Sequence, residues 1–175
     1  MPSVTSSGEV RGETLPHQTL RYPSVDALTV NRRTVTTDTE WEPRVGYSRA
    51  VRVGDRICVS GTTATDDAGE AVAVDDPYGQ ARHAMENAVA AVEATGGEVE
   101  DVIRTRMYVV DIDDWEDVGR AHAEVFGDVR PATTMVEVSR LIDPDLLVEV
   151  EVEAVVGDRV DGGNNDDGED REEIE

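Results

Sequence analysis

Residues 146–156, Leu-Leu-Val-Glu-Val-Glu-Val-Glu-Ala-Val-Val, decide the fold of this chain. Apolar and acidic residues alternate strictly here, which is typical of a β-strand with one covered and one open face. The apolar face carries the valines Val148, Val150 and Val152. The acidic face carries the glutamates Glu149, Glu151 and Glu153. Like charges repel at this spacing, so we expect the row to face water or at least one carboxylate to belong to a site.

A second strand is predicted in residues 130–138, Arg-Pro-Ala-Thr-Thr-Met-Val-Glu-Val. A loop ending in proline runs directly into an alternating stretch. The alternation places Val136 and Val138 on the apolar face of the sheet and Glu137 on the acidic face. The hydroxyl residues Thr133 and Thr134 stand where this strand begins, as a plain strand start or as one wall of a site.

The remaining elements are predicted from periodicity and from turn residues. Residues 49–63 form a hairpin around Gly54-Asp55, a two-residue turn with glycine first. Apolar residues recur at helical spacing in 75–97, which Asp76-Pro77 opens and Gly96-Gly97 closes. Residues 102–110 alternate as a strand, and 111–127 form a second helix. The order ββαβαββ predicts an α+β domain with two helices packed on one face of a sheet.

Composition divides the chain into three parts. Residues 1–43 are rich in Thr, Ser, Pro and charge, and we predict a largely disordered N-terminal extension with one strand near Thr34–Thr36. A start codon assigned too far upstream explains this composition equally well. Residues 44–157 form the folded domain. Residues 158–175 are an acidic tail without core-forming residues and are predicted to be disordered.

The net charge of −23, from 39 acidic residues against 16 basic ones, is the strongest compositional signal. Such a surface repels nucleic acid and anionic membranes, so neither is expected as a partner. No stretch has the apolar core of a secretory signal or the ~20 apolar residues of a membrane helix. We therefore predict a salt-adapted (halophilic) cytoplasmic protein. A disordered acidic protein is the alternative, which the apolar periodicity disfavours.

Common catalytic motifs are missing from the sequence. Cys58, the single cysteine, excludes an intrachain disulfide, and its apolar surroundings predict a small buried side chain. The three histidines His17, His83 and His122 lack partners at ligand spacing, so no metal site is expected. Phosphate-binding glycine loops, calcium loops and nucleophile elbows do not occur. By motif alone, Ser60 is a turn residue.

A combination of motifs identifies a family. In order and spacing, the chain resembles the reactive intermediate deaminase (RidA/YjgF) family, also called endoribonuclease L-PSP, over residues 43–156. The resemblance implies a chorismate-mutase-like homotrimer with clefts between adjacent subunits. It also implies hydrolysis of small-molecule imines or enamines without a cofactor. The motifs are VGYSRA (45–50), ICVSGTT (57–63), QARHAMENAVAAVEATGG (80–97), VIRTRMYVVDIDDW (102–115), RPATTMVEVSRL (130–141) and LVEVE (147–151).

The resemblance also implies a set of site residues. Glu149 matches the family's glutamate and would activate the attacking water, with Glu151 as the alternative one pleat away on the same face. The implied substrate-binding residues are Tyr47, Ser60, Gly61, Thr133 and Met135.

Departures from the family pattern put the usual substrate in doubt. The arginine that binds the substrate carboxylate is replaced by Thr133, and a helix asparagine by Gly119. A hydroxyl cannot replace a charge-assisted bidentate pair, although Arg49 or Arg130 are candidates to supply a cation from another side.

Three functional hypotheses remain for a member of an arginine-lacking subgroup. The first is a deaminase-type hydrolase with changed specificity, acting on a neutral or weakly charged imine, enamine or carbonyl-derived metabolite. The second is a non-catalytic trimeric module that binds a metabolite or a partner. The third, a ribonuclease, is poorly supported because the chain has no basic patch and no paired histidines.

Overall fold

The computed structural model describes residues 31–37, 39 and 41–157. The predicted acidic tail and most of the predicted N-terminal extension lie outside these residues. These described residues form six strands, three α-helices and two short 3-10 helices. The strands are β1 (Arg32–Val35), β2 (Ala50–Val53), β3 (Arg56–Thr63), β4 (Val102–Val109), β5 (Ala132–Glu137) and β6 (Val148–Val155). The helices are α1 (Trp41–Val45), α2 (Pro77–Ala94) and α3 (Trp115–Phe126).

All six strands join in one sheet in the order β1-β2-β3-β6-β4-β5. Neighbouring strands are antiparallel except β4 and β5, which are parallel. The predicted ββαβαββ order and the α+β class are confirmed. Strand β1 and the short helix α1 precede this unit, in the region where composition predicted only one strand. In the described part of the chain, no helix is long and apolar enough to cross a membrane.

Strand β6 lies in the middle of the sheet, between β3 and β4, and supplies the centre of the core. Its valines Val148, Val150 and Val152 are each at most 1% exposed, as the alternation predicted. Helices α2 and α3 cover this face, and their Met85 and Phe126 are fully buried against it. Removing such apolar surface from water is the main stabilising contribution to a fold of this kind. The glutamates of β6 point to the opposite face, which we call the open face.

The turns form where the sequence predicted them. Gly54 has a φ of +64° in the β2–β3 hairpin, a conformation that glycine adopts without strain. Asp76 caps α2 by accepting a hydrogen bond from the Gly79 N–H at 3.0 Å. At the other end of α2, the Arg52 guanidinium donates to the carbonyls of Thr95 and Gly96, which complements the helix dipole.

The predicted facing of β5 is wrong by one residue. Met135, opposite Met107 of β4, packs against the core, whereas Val136 lies opposite Tyr108 and is 43% exposed. The Glu137 carboxylate accepts a hydrogen bond from the Ile112 N–H and is therefore not part of the acidic row. Parallel pairing with β4 sets the register, and either Met135 or Val136 is apolar enough to fill the inner position.

The predicted burial of Cys58 is also wrong. Cys58 is exposed, because it lies on the open face opposite Glu153 of β6. The side chains on either side of it along β3, Ile57 and Val59, are the ones that enter the core. A continuous apolar run therefore concealed an ordinary alternation of inward and outward residues.

Gln80 connects α2 to the loop that leads into β6. Its side chain is fully buried and both donates and accepts a hydrogen bond. The amide nitrogen donates to the Asp145 carbonyl at 2.7 Å, and the amide oxygen accepts from the Leu147 N–H at 2.7 Å. Both backbone groups belong to the approach to β6, so Gln80 fixes where that strand begins.

Replacing Gln80 by methionine is expected to destabilise the protein. The substitution keeps the side-chain volume but removes both hydrogen bonds, and each unsatisfied buried group costs about 1–3 kcal/mol. Urea unfolding measures the loss. The control is Glu86→Gln on the exposed side of the same helix, which breaks only the Arg82–Glu86 surface pair and should change stability by less than about 0.5 kcal/mol. Equal effects of the two substitutions would contradict the role assigned to Gln80.

Candidate functional site

The candidate site lies on the open face, where β3 departs from regular pairing with β6. The register shifts between Val59 and Thr62, so Ser60 and Gly61 form an irregular step. The Ser60 backbone N–H donates to the Arg49 carbonyl at 3.0 Å, and its hydroxyl donates to the Ser48 carbonyl at 2.9 Å. These bonds hold the segment before β2 against the irregular step.

Gly61 permits the close approach of a carboxylate. A Cβ at this position would overlap the Glu149 carboxylate, which lies directly against the glycine. Any larger residue here would therefore force the Glu149 carboxylate out of its position. The predicted residues Gly61 and Glu149 meet in the folded chain, on neighbouring strands.

The Glu149 carboxyl has a raised pKa. Partial burial is the main cause, and repulsion from Glu151 adds to it, while the positive charge of Arg49 acts in the opposite direction. A carboxylate with a raised pKa is a stronger proton acceptor than an exposed one. The geometry therefore supports Glu149 as the candidate base.

The other two glutamates of the row are held by arginines. Arg106 contacts the carboxylates of Glu151 at 3.2 Å and of Glu153 at 2.9 Å, and Arg56 contacts Glu153 at 3.2 Å. Hydrogen bonding to Arg56 is the main cause of a lowered Glu153 pKa. Within the described part of the chain, Glu149 has no ion pair within 4.0 Å, which favours it over the alternative Glu151.

Arg49 organises the wall of the site. Its guanidinium donates to the Gly61 carbonyl at 2.6 Å, to the Thr62 hydroxyl at 2.9 Å and to the Tyr47 hydroxyl at 3.3 Å. The structure thus places Tyr47, Ser60, Gly61 and Glu149 in one group. The sequence singled out Arg49 only as a candidate cation for the cleft, whereas in the structure its guanidinium is hydrogen-bonded to β3 and to Tyr47.

The other two predicted binding residues, Thr133 and Met135, lie apart from this group in the folded structure. Both are on β5, on the side of the sheet that the helices cover, and β6 and β4 separate this strand from β3. Glu149 on β6 is two strand spacings from β5, roughly 10 Å, and it lies on the opposite face of the sheet from Thr133 and Met135. One small ligand therefore cannot contact both groups within a single chain. The second candidate cation, Arg130, is exposed and donates to the Gly127 carbonyl.

A neutral polar cluster surrounds Thr133. Its hydroxyl lies 2.9 Å from the hydroxyl of the buried Thr105 and 3.3 Å from Nε2 of His122, and Thr105 lies 2.9 Å from the same nitrogen. The imidazole packs on Phe126, with 5.0 Å between the ring centroids. Burial lowers the His122 pKa and favours the uncharged ring. Sequence spacing alone did not identify this cluster, because its members come from three separate elements.

A metal-binding cluster is not found at either group. Among the described residues, no three His, Cys, Asp or Glu side chains are placed to hold a metal ion together.

Replacing Glu149 by glutamine is expected to stabilise the protein at pH 7. Because the folded-state pKa is raised, ionising Glu149 opposes folding, and this cost grows as pH rises from the unfolded-state pKa through the folded-state one. Each pH unit of pKa shift corresponds to at most about 1.4 kcal/mol, which solvent screening reduces. Denaturant unfolding at pH 7 and at about pH 3.5, below the ordinary glutamate pKa of about 4.3, should show a gain that vanishes in acid.

The control for this prediction is Glu70→Gln, an exposed loop residue. It makes the net charge less negative by the same one unit and therefore measures the general relief of self-repulsion. A Glu149→Gln gain no larger than that of Glu70→Gln would contradict the strained ionisation of Glu149.

Comparison with known proteins agrees with this architecture. The family model described as Endoribonuclease L-PSP matches residues 37–156. An uncharacterized protein of Streptomyces coelicolor is 44% identical over 128 residues, which cover 71% of this chain and 92% of that protein. The 2-iminobutanoate/2-iminopropanoate deaminase of Salmonella typhimurium is 36% identical over 112 residues, 62% of this chain and 86% of the enzyme.

Among solved structures, the fold is similar to that of a YjgF/YER057c/UK114 family member from Mycobacterium tuberculosis. The TM-score is 0.66 at 45% identity, and the match covers 72% of this chain and all of the other. Sequence motifs, family model and fold therefore agree: the chain belongs to the endoribonuclease L-PSP family, the RidA/YjgF family.

Proposed function

We propose that this protein is a hydrolase of the deaminase type, acting on a small neutral or weakly charged imine or enamine. The observation that carries the proposal is the half-buried Glu149 carboxylate, held against Gly61 beside the Arg49 guanidinium. A related protein bears the name of an imine deaminase. In the proposed reaction an imine and one water give a carbonyl compound and ammonia, and an enamine reacts through its imine tautomer.

Each step of this reaction has a residue suited to it. Glu149 takes a proton from the water whose oxygen bonds to the imine carbon and passes it to the imine nitrogen, which gives a carbinolamine. The carbinolamine hydroxyl proton is then transferred through Glu149 to the same nitrogen, the C–N bond breaks, and ammonia leaves as the carbonyl forms. Proton transfer of this kind by a positioned base contributes about 10²–10⁴-fold in rate. Tyr47 and the polar groups of Ser60 and Gly61 would orient the substrate beside the base. The proposed reaction is a hydrolysis without a change of oxidation state, so it requires no redox or electron-sink cofactor.

The substrate class follows from the cluster around Thr133. A guanidinium would bind a substrate carboxylate bidentately, but Thr133 and Thr105 offer hydroxyls and His122 favours its neutral form. The net charge of −23 further disfavours anions. We therefore expect a substrate with an uncharged group at this end.

The site is completed, in our proposal, by a second copy of the chain. The group on β3 and β6 and the group on β5 are too far apart within one chain to share a small ligand. A homotrimer with clefts between adjacent subunits, as the family resemblance implies, would bring one group of each type together. The open face suits such an interface because Val53 and Val136 are 40% and 43% exposed on it.

A non-catalytic metabolite-binding module is the second candidate. The observation that favours it is Thr133. This residue is uncharged where the family has an arginine, and the carboxylate of a 2-imino acid is therefore bound more weakly. This candidate uses the same cleft without proton transfer, so a kinetic experiment separates the two.

We expect the protein to accelerate imine hydrolysis and Glu149→Gln to abolish most of the acceleration. Neutral imine can be generated in high salt by a flavin amine oxidase from benzylamine and oxygen. Charged 2-iminopropanoate and 2-iminobutanoate can be generated by an amino-acid oxidase. Loss of imine is followed with and without protein. The variant should lose about 10²–10⁴-fold, because it cannot accept the proton.

The matched control in this assay is Glu70→Gln, which should retain full activity. No acceleration of any imine would exclude the hydrolase and leave the binding module. A solution mass by light scattering that differs from three chains of 19.0 kDa would contradict the shared cleft.

Introducing Thr133→Arg is expected to shift preference toward 2-imino acids. A guanidinium at the entrance of the cleft supplies the bidentate partner for a carboxylate, an interaction of about 2–5 kcal/mol where it is desolvated. The measurement is the ratio of kcat/KM for 2-iminopropanoate and for the neutral imine, which should rise at least tenfold. Ala68→Arg, in an exposed turn, adds the same charge and is the control. An equal change in both variants would indicate a general charge effect.

A further inference from the structure

Glu42 is a buried carboxylate that the sequence did not single out. It lies in α1 and is only 2% exposed. Its two oxygens accept from the Thr37 backbone N–H at 3.1 and 3.0 Å, and one accepts from the Thr37 hydroxyl at 2.7 Å. A buried charge is retained only where hydrogen bonds or a counter-charge compensate the lost hydration. The compensation here comes from Thr37 and from Arg49.

Arg49 supplies the counter-charge and points its remaining donors at the site. Its Nε lies 3.9 Å from Glu42 Oε1, while the two outer nitrogens bond to Gly61, Thr62 and Tyr47. A guanidinium is a rigid planar fork, so fixing one edge fixes the direction of the others. The side chain is only 16% exposed, which keeps solvent from competing for these bonds.

The same guanidinium acts on Glu149. The charged or titratable groups that interact with this carboxyl are Glu151 of β6, Tyr108 on the neighbouring strand β4, and Arg49. Of the two that affect the Glu149 pKa, Glu151 raises it and Arg49 lowers it. Arg49 is therefore the group that keeps a crowded, half-buried carboxylate available as a base.

We propose that Glu42 and Arg49 are the positioning residues of the Glu149 site. Glu42 orients the guanidinium, and the guanidinium holds Tyr47 and the irregular step of β3 in place and sets a positive charge beside the base. Neither residue touches the reacting atoms. The role of the two residues in catalysis rests on the proposed function. Their effect on the ionisation of Glu149 does not, and it can be measured without substrate.

The direct test is the titration of Glu149 in variants of Arg49. Protein labelled with ¹³C at glutamate carboxyls is titrated by NMR, and the Glu149 signal is assigned by its loss in Glu149→Gln. Arg49→Gln should raise the Glu149 pKa, because an adjacent opposite charge is lost. Arg49→Lys keeps the charge and should retain most of the wild-type pKa, while loss of the fork should lower kcat.

The matched control is Arg52→Gln, three residues further along. Arg52 also donates its guanidinium to backbone carbonyls, but at the end of α2, on the covered side of the sheet. The substitution Arg52→Gln removes the same charge and comparable hydrogen bonds, and it should leave the Glu149 titration unchanged. An unchanged Glu149 pKa in folded Arg49→Gln, or an equal shift in Arg52→Gln, overturns the proposal.

Wild-type protein provides a second test if Arg49→Gln does not fold. With ¹⁵N-labelled arginine, the bonded guanidinium of Arg49 should rotate slowly and give separate Nη signals, unlike the exposed Arg130. A single averaged Arg49 signal overturns the positioning role. Failure of the two proposals is distinguishable: absent imine hydrolysis removes the function without moving the NMR titration, whereas an unchanged titration removes only the role of Arg49.

In an active hydrolase, the pH profile provides a further readout. The acidic limb of kcat/KM reports the ionisation of the base in the free enzyme. It should move to higher pH in Arg49→Gln by the same interval as the NMR titration, and remain in place in Arg52→Gln. A merely structural contribution of Arg49 would lower the rate at every pH without displacing the limb, and that result would overturn the proposal.

Discussion

The burial of one face of β6 is the constraint on which the rest of the structure depends. The strand is hydrogen-bonded on both edges, to β3 and to β4, and its valine row is covered by α2 and α3. A register slip of one residue would expose the valines and bury carboxylates, so the core fixes the register strongly. The position of Glu149 is thereby set by hydrophobic burial on the opposite side of its own strand. A base on a rigid central strand is placed more precisely than one on a loop.

The same alternation forces three carboxylates into one row, and the chain relieves their repulsion unevenly. Two arginines on neighbouring strands pair with Glu151 and Glu153. Burial raises the pKa of Glu149, which has no ion pair within 4.0 Å among the described residues, while hydrogen bonds from arginines lower that of Glu153. Perturbed carboxyls of this kind concentrate at functional sites. Electrostatic strain in the row thus accumulates at the one position that borders an irregular step and a glycine.

Much of the fold could be predicted because its elements have strong periods. The hairpin at Gly54, helix α2 and strand β6 each combine a clear spacing with a definite turn or cap. The facing of β5 could not be predicted in this way. Met135 and Val136 are both apolar, and the pairing of β5 with β4 decides between them.

The candidate site was predictable only in part, for a similar reason. Tyr47, Ser60, Gly61 and Glu149 belong to motifs with recognisable spacing, and the structure brings them together. The pair Glu42–Arg49 has no such signal, because a charged residue in a polar stretch usually faces solvent. Glu42 lies in α1, which composition did not distinguish from an extension. Likewise, His122 and Thr105 become neighbours of Thr133 only through the packing of α3 on the sheet.

In the proposed function, two features disfavour anionic substrates: the negative surface charge, which acts at long range, and the uncharged groups at Thr133, which act on contact. The net charge of −23 repels anions over a distance that salt shortens to about 3 Å at 1 M ionic strength. In high salt this long-range contribution nearly disappears, and only groups in contact with the substrate still discriminate. In the proposed cleft, the groups at Thr133 are hydroxyls and a neutral imidazole, while the guanidinium of Arg49 is engaged by Glu42, Gly61 and Tyr47. Discrimination against carboxylates that persists as salt is raised therefore reports the Thr133 cluster itself, whereas discrimination that fades reports the surface.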